Sequence, residues 1–335
     1  MDTFPVHLLP DRPFLWVLKR MEFHDQLAYS FCSTKTKKAV KSLNLKAIAI
    51  NFDVCDSIKI EIWLDNSIAI NFFINYGDYF PKIEIIADKT IEFHVTKDCE
   101  VTKKWKWKFQ NFECNKWLHH FCEVLHHPRI DDLCFNDDEI NDAYIEPIQK
   151  VIEGLQIGFF SISDQLTNDF AKKALEVFPN YDKLFLYRIP FGSSELNKLL
   201  IQNLKSIGFS YAEEIEIDQV LLTNSERIQL NESRFTEKEF NRLLKLWIHG
   251  SNPRLKHFFT RGQPQHGNLS LDKNIVLKGI KYEQVPLDSE EVYRYCTTEI
   301  CYNETKLAGG FRIWRFNGTT AVIVVTEDIF EFIAE

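Results

Sequence analysis

The hydrophobic period of the chain changes twice, and each change limits what that stretch can become. Up to about residue 45, apolar residues recur at helical spacing: Leu15, Leu18 and Met21, then Leu27 and Phe31. From about 46 to 112 the period is two. Ile48, Ile50 and Phe52 alternate, as do Ile58, Ile60, Ile62 and Leu64, then Ile68, Ile70 and Phe72, then Ile91, Phe93 and Val95. From about 113 to 260, helical and extended patterns take turns, and residues 261–335 return to extended runs. Alternation buries one face of a sheet, whereas strands separated by helices imply parallel neighbours.

These periods predict an α+β or α/β chain. A helical head over 1–45 is followed by an antiparallel strand region over 46–112. A strand–helix domain over 113–335 ends in strands such as Phe311–Phe316 and Ala321–Val325. Pro10 and Pro13 stand where a helix can start, and Asp65-Asn66 suits a hairpin turn. In the third region, helices near Trp117–Val124, Ile145–Ile152, Phe170–Phe178, Leu196–Leu204 and Thr236–Ile248 precede strands at Leu133–Phe135, Ile157–Ile162, Leu184–Tyr187, Glu214–Ile217 and Leu255–Phe259. Such units recur irregularly, about every 25–30 residues, and none can bury its own apolar face. Stacking them gives an irregular leucine-rich-like solenoid. A doubly wound sheet is the competing arrangement.

The last helix has the fullest local signals. Phe240, Leu243, Leu244, Trp247 and Ile248 form one stripe. Thr236 with Glu239 reads as a capping box, Phe235 with Phe240 as a hydrophobic staple, and Gly250 as the stop.

Charge and cysteine usage narrow the function classes. The chain of 335 residues carries −8 overall. Residues 1–45 hold seven basic against four acidic side chains, leaving −11 on the rest. A small basic head on an acidic body points to an acidic protein partner rather than to nucleic acid. The eight cysteines form no Cys-x-x-Cys, the opening residues lack the pattern of a signal peptide, and no apolar run reaches the length of a membrane span. Reduced thiols in the cytoplasm or nucleus, with no membrane contact and no secretion, are expected.

Chemistry-bearing motifs are sparse. Glycine phosphate loops and the Gly-x-Ser-x-Gly elbow are missing, and Gly309-Gly310 reads as a turn. The run Cys114, His119, His120, Cys122, His126, His127 and Cys134 is rich in metal-ligand types. It lacks the paired short spacings of a zinc site, so it reads as an amphipathic helix with Phe121, Cys122 and Leu125 in the core and its histidines mostly solvated. Lys103–Phe109 alternates lysine with aromatics, as an edge strand does to block association. Asp131-Asp132 and Asp137-Asp138-Glu139 read as solvated turns. No catalytic residue, cofactor or metal is implied. An enzyme built on the 114–134 cluster remains a rival hypothesis.

Longer motifs carry a resemblance. Phe4–Met21, with Leu9-Pro10, Val17-Leu18 and Met21, looks like the opening of an F-box, and His24–Val40 is similar to its second half. Arg12 and Pro13 stand where that pattern more often has acidic and aliphatic residues. Phe240–Leu255, with Gly250-Ser251-Asn252-Pro253-Arg254-Leu255, is similar to a segment of the type-2 F-box-associated domain. Val276–Ile280 and Gly309–Thr319 resemble that family's C-terminal segments. The resemblance is to the nematode-type class that pairs an F-box with this domain.

It implies a non-catalytic substrate receptor of Skp–cullin–F-box ubiquitin ligases. The N-terminal helices would dock onto a Skp-type adaptor, and through it a cullin–RING ligase, while the associated domain selects an unknown protein target. The adaptor-facing set would be Phe4, Pro5, Leu8, Leu9, Pro10, Leu15, Val17, Leu18, Met21, Leu27 and Phe31, some of which must also pack the head itself. A non-ligase interaction scaffold that uses the F-box only for docking is the alternative. For the target, the alternation of Leu184–Arg188 puts Phe185 and Tyr187 on an open strand face if Leu184 and Leu186 point inward.

Overall fold

The computed structural model describes residues 8–334, apart from 56, 66–67, 75–89, 98–99, 109–113, 263–270, 287–291, 297–301 and 307–308. Phe4, Pro5, Asn66 and Phe109 therefore lie outside the described residues. The chain divides into two compact units, residues 1–158 and 159–335.

The first unit opens with three short helices, α1 (Asp11–Leu18), α2 (Phe23–Ser30) and α3 (Thr34–Lys41). Pro10 takes the position just before α1, and Ser33 and Thr36 form a reciprocal capping box at α3. Strands β1 (Ala49–Val54), β2 (Ile58–Trp63), β3 (Ile68–Ile74), β4 (Thr90–Lys97) and β5 (Glu100–Lys108) follow as an antiparallel meander. Along β2, Ile58, Ile60 and Ile62 are buried while Lys59, Glu61 and Trp63 are half-buried, so the period of two does what it predicts. Strand β5 ends the strand order and exposes Lys103, Lys104 and Lys106, the expected protected edge.

Helix α4 (Cys114–Val124) then leads to β6 (Arg129–Phe135), which lies parallel to β1, and α5 (Ile145–Val151) follows. Phe121 of α4 sits 4.6 Å from Phe72 of β3, so α4 covers the apolar face of the meander.

The second unit takes up β7 (Gln156–Ile162), whose first residues close the first unit. It continues with α6 (Asn168–Val177), β8 (Tyr181–Leu186), α7 (Ser193–Leu200), β9 (Ser206–Phe209), α8 (Ile217–Leu222), β10 (Arg227–Ser233), α9 (Glu237–Ile248) and β11 (His257–Gly262). After α10 (Lys273–Val276) come β12 (Glu283–Val285), β13 (Val292–Cys296), β14 (Tyr302–Lys306), β15 (Gly310–Trp314), β16 (Thr320–Val325) and β17 (Ile329–Ala334). Among the described residues, strands β13 and β14 pair only with each other.

The rest of the order is β7-β8-β9-β10-β11-β17-β16-β15-β12. Strands β8 to β11 are parallel and β17, β16, β15 and β12 antiparallel. Strands β7 to β11 lie side by side in chain order, without the reversal that defines a doubly wound sheet.

Register fixes the core of this unit. Leu184, Ile207, Ile228, Phe258 and Phe332 are aligned across β8, β9, β10, β11 and β17. All five are buried, as are Leu186, Phe209, Leu230, Thr260 and Phe330 of the next aligned row. Helix α9 covers the β11 end of these rows. Phe240 stacks on Phe330 at 4.1 Å, and Trp247 meets Phe332 edge-on at 5.0 Å.

Both ends of α9 follow its sequence signals. The Glu239 carboxylate accepts from the backbone N–H and the hydroxyl of Thr236, each at 2.8 Å, and Phe235 packs edge-on against Phe240. Gly250, at φ +114°, donates to Trp247 and Ser251 donates to Leu246, closing the helix in a Schellman motif.

Three local expectations fail. Glu214–Ile217 is not a strand: the Glu216 N–H binds the Gln219 side chain at 3.0 Å and starts α8. The strand after α7 is β9, and β10 went unforeseen. Asp131 is not in a solvated turn. It is buried in β6, where its carboxylate takes the Ile50 N–H at 2.7 Å and pairs with Arg129 at 2.9 Å and with His127. Of the histidines in the 119–127 run, His120 and His127 are half-buried and hold partners rather than standing in solvent, while His126 is exposed.

Among the described residues, no helix is long and apolar enough to cross a membrane. Cys32 and Cys122 are free thiols.

Candidate functional site

The head sorts its apolar side chains by burial. Leu18 and Leu27 are fully buried and hold the helices together. Leu9, Leu15, Val17, Met21 and Phe31 are half-buried, and Pro10 is exposed. Leu8 is 71% exposed and Trp16 59%, with the Arg20 guanidinium 3.4 Å from the centre of the Trp16 ring. Trp16 escaped the sequence reading because it lies between the periodic positions of α1. Large apolar groups in water beside a basic side chain form a surface suited to a protein partner.

Phe31 is engaged by its own chain. Its ring stacks on Trp117 at 4.1 Å and on His120 at 3.9 Å, both from α4. His120 Nε2 is 2.6 Å from the Ser30 hydroxyl, which itself donates to the Leu27 carbonyl; the ring nitrogen is therefore the donor to Ser30. Burial, aided by Lys37, pushes the His120 pKa down to about 4. Nearby, hydrogen bonds from Lys37 and Lys41 of α3 hold the half-exposed Glu123 at about 2. His126 contacts the Lys41 carbonyl at 3.1 Å.

A titration follows. An imidazole held neutral in the fold and protonated in the unfolded chain withdraws stability as pH falls from about 6.5 to about 4. The lowered Glu123 withdraws more between about 4.5 and about 2, damped by its exposure. The urea midpoint of the first unit is expected to fall through both windows, and His120→Phe to flatten the upper one. An unchanged slope between pH 6.5 and 4 in that variant would contradict the assignment.

Within the 114–134 run, Cys122 is a buried thiol. Burial, with Asp131 adding to it, pushes the Cys122 thiol up to about 12, so it is no thiolate at neutral pH. Among the described residues, no three His, Cys, Asp or Glu side chains are grouped to hold a metal ion.

In the second unit, Leu184 and Leu186 are buried while Phe185 is half-buried and Tyr187 is 40% exposed. Phe185 and Tyr187 pack edge to face, 5.3 Å apart. The Phe185 ring lies over Gly208 of β9, where an added methyl group would stand 2.6 Å from it. Aligned with Phe185 across the sheet are Gly208, Gln229, Phe259 and Glu331. The neighbouring row runs Lys183, Ser206, Arg227 and His257. His257 Nε2 is 2.9 Å from the Glu331 carboxylate. This mixed polar and aromatic face is opposite the apolar rows.

The segment after α9 has a structural task. Asn252, buried at φ +47°, donates through Nδ2 to the carbonyls of Val220, Leu221 and Thr223, at 3.2, 3.3 and 3.0 Å. One amide thus satisfies the C-terminal carbonyls of α8. Arg315 donates to the Gly250 and Ser251 carbonyls and lies 5.3 Å over Trp247, tying the β15–β16 turn to the end of α9.

Residues 195–259, from α7 into β11, match the model of a family described as F-box associated. The chain is similar there to the F-box associated family. It is 22% identical, over 258 residues, to the F-box associated domain-containing protein sdz-33 of Caenorhabditis elegans, covering 77% of this chain and 78% of that protein. These findings support the nematode-type F-box associated family as the relationship. No solved structure matches the chain. The matched stretch contains Asn252 and the whole of α9, so what reads as a family signature coincides with the contacts that join α8 and α9.

Proposed function

We propose that the chain is the substrate-recognition subunit of a Skp–cullin–F-box ubiquitin ligase, a non-catalytic receptor acting in the cytoplasm or nucleus. The observation that carries this reading is the order of its parts: a stretch similar to the F-box associated family, preceded by a three-helix head with Leu8 and Trp16 in water. In this reading α1–α3 are the F-box. Leu8, Leu9, Pro10, Leu15, Val17 and Met21 face the Skp-type adaptor, with Phe4 and Pro5 upstream of them. Leu18, Leu27 and Phe31 act from beneath as the head's own packing. The run β7–β11 serves as an irregular leucine-rich-like solenoid, a reading supported by strands that follow one another in chain order. Phe185 and Tyr187 belong to the surface offered to the target.

Affinity purification with and without residues 1–45 tests the proposal, together with a Leu9→Ala, Pro10→Ala double variant. Burying one leucine is worth about 1.5–3 kcal/mol, so the double variant is expected to lose adaptor capture by at least about tenfold while melting normally. Adaptor capture equal to the wild type overturns the reading, and capture of adaptor without cullin favours a non-ligase scaffold. In the same experiment Tyr187→Ala should keep the adaptor and change the other proteins retained; an identical set excludes that face.

A further inference from the structure

A cleft of about 580 Å³ opens in the second unit where the end of α9, the segment leading into β11 and the β15–β16 turn meet. Trp247, Arg254, Lys256, Arg315 and Phe316 line it. Its size falls in the range of sites that take a small ligand or a few peptide residues.

Its charge runs against that of the protein. The chain carries −8 overall, yet Arg254, Lys256 and Arg315 face the cleft with Glu226 as the acidic lining residue. Glu226 is already occupied: it takes Lys256 at 2.7 Å and Arg254 at 3.3 Å. The hydrogen bond from Lys256 leads the causes that hold its carboxyl below the usual range.

Nε of Arg315 and Nε1 of Trp247 are buried behind the cleft wall, out of reach of a molecule lying in it. Arg315 is 7% exposed and Trp247 1%. Beside them Phe316, 75% exposed, lies over Gly250, where a methyl group would stand 3.0 Å from its ring.

We infer that this cleft binds an acidic peptide segment of a partner protein, a carboxylate meeting Lys256 and Arg254 while a neighbouring aromatic or aliphatic side chain packs on Phe316. A carboxylate offers several acceptor positions and matches the local surplus of cations. An apolar neighbour uses a ring that otherwise stands in water. This rests on the receptor reading and names the chemistry its domain would select.

The test uses the full chain and a fluorescein-labelled Glu-Glu-Phe-Glu-Glu peptide followed by polarisation, with a Gln-Gln-Phe-Gln-Gln peptide and a single-stranded RNA oligomer as comparisons. The acidic peptide is expected to bind at micromolar concentration and to weaken with salt. Lys256→Glu and Phe316→Ala should each weaken it by about tenfold or more with melting unchanged. Both side chains are exposed, and should the charge reversal disturb folding, Phe316→Ala carries the test. No binding by the wild type, equal binding of the glutamine peptide, tighter binding of RNA, or unaltered affinity in the variants overturns the inference. Adaptor capture measured on the same preparations is independent of this cleft, so its loss strikes the receptor reading alone.

Discussion

Trp247→Ala is expected to lower the stability of the second unit by about 3–5 kcal/mol, the range found when a buried aromatic is truncated to alanine. The ring is fully buried, edge-on to Phe332 at 5.0 Å and beneath the Arg315 guanidinium at 5.3 Å. Removing it leaves a void between α9 and β17 and strips Arg315 of the face it lies on. That second loss matters, because Arg315 joins the β15–β16 turn to the Gly250 and Ser251 carbonyls. Denaturant unfolding followed by circular dichroism reads the effect as a lower midpoint. Phe316→Ala, nearby but in water, should leave the midpoint close to wild type. A wild-type midpoint for Trp247→Ala would mean that α9 does not anchor this end of the sheet.

The elements that sequence alone made legible are those whose signals are local. The stripe of α9, its staple and its Gly250 stop all lie within 235–250, and each has its expected role. The meander was legible for the same reason, since alternation within one strand is enough to assign its faces.

What stayed hidden depended on partners far along the chain. Glu-Ile-Glu-Ile at 214–217 alternates like a strand, and only the Glu216–Gln219 cap tips it into α8. Strand β10 is specified by its aligned neighbours Ile207 and Phe258 more than by its own residues. Asn252 resembled a family signature, but its three carbonyl partners stand about thirty residues upstream, so nothing adjacent to it revealed a helix cap. In the head, Leu18, Leu27 and Phe31 have the same periodic spacing as the residues that reach solvent. Period finds an apolar face; it does not tell which part of that face the chain itself covers.

The second large effect is expected at Asp131, where a local reading of acidic residues was most misleading. Its carboxylate is buried in β6 and takes the Ile50 N–H of β1 at 2.7 Å, Arg129 at 2.9 Å, and His127. Taking one partner out of such a buried network leaves the others without their counter-charge or acceptor, which typically costs about 3–5 kcal/mol. Arg129 has little room to find another place. Its Nη2 stands 2.4 Å from where a methyl group on Gly158 would be, so the guanidinium already occupies the space above that glycine. Asp131→Ala should therefore lower the urea midpoint of the first unit by an amount matching that loss. Asp131→Asn keeps an acceptor for the Ile50 N–H and should lose less. The pair separates charge from hydrogen bonding: equal losses would assign the effect to the carboxylate charge, and a wild-type midpoint in Asp131→Ala would show that β1 and β6 are held together by their backbone ladder and apolar rows alone.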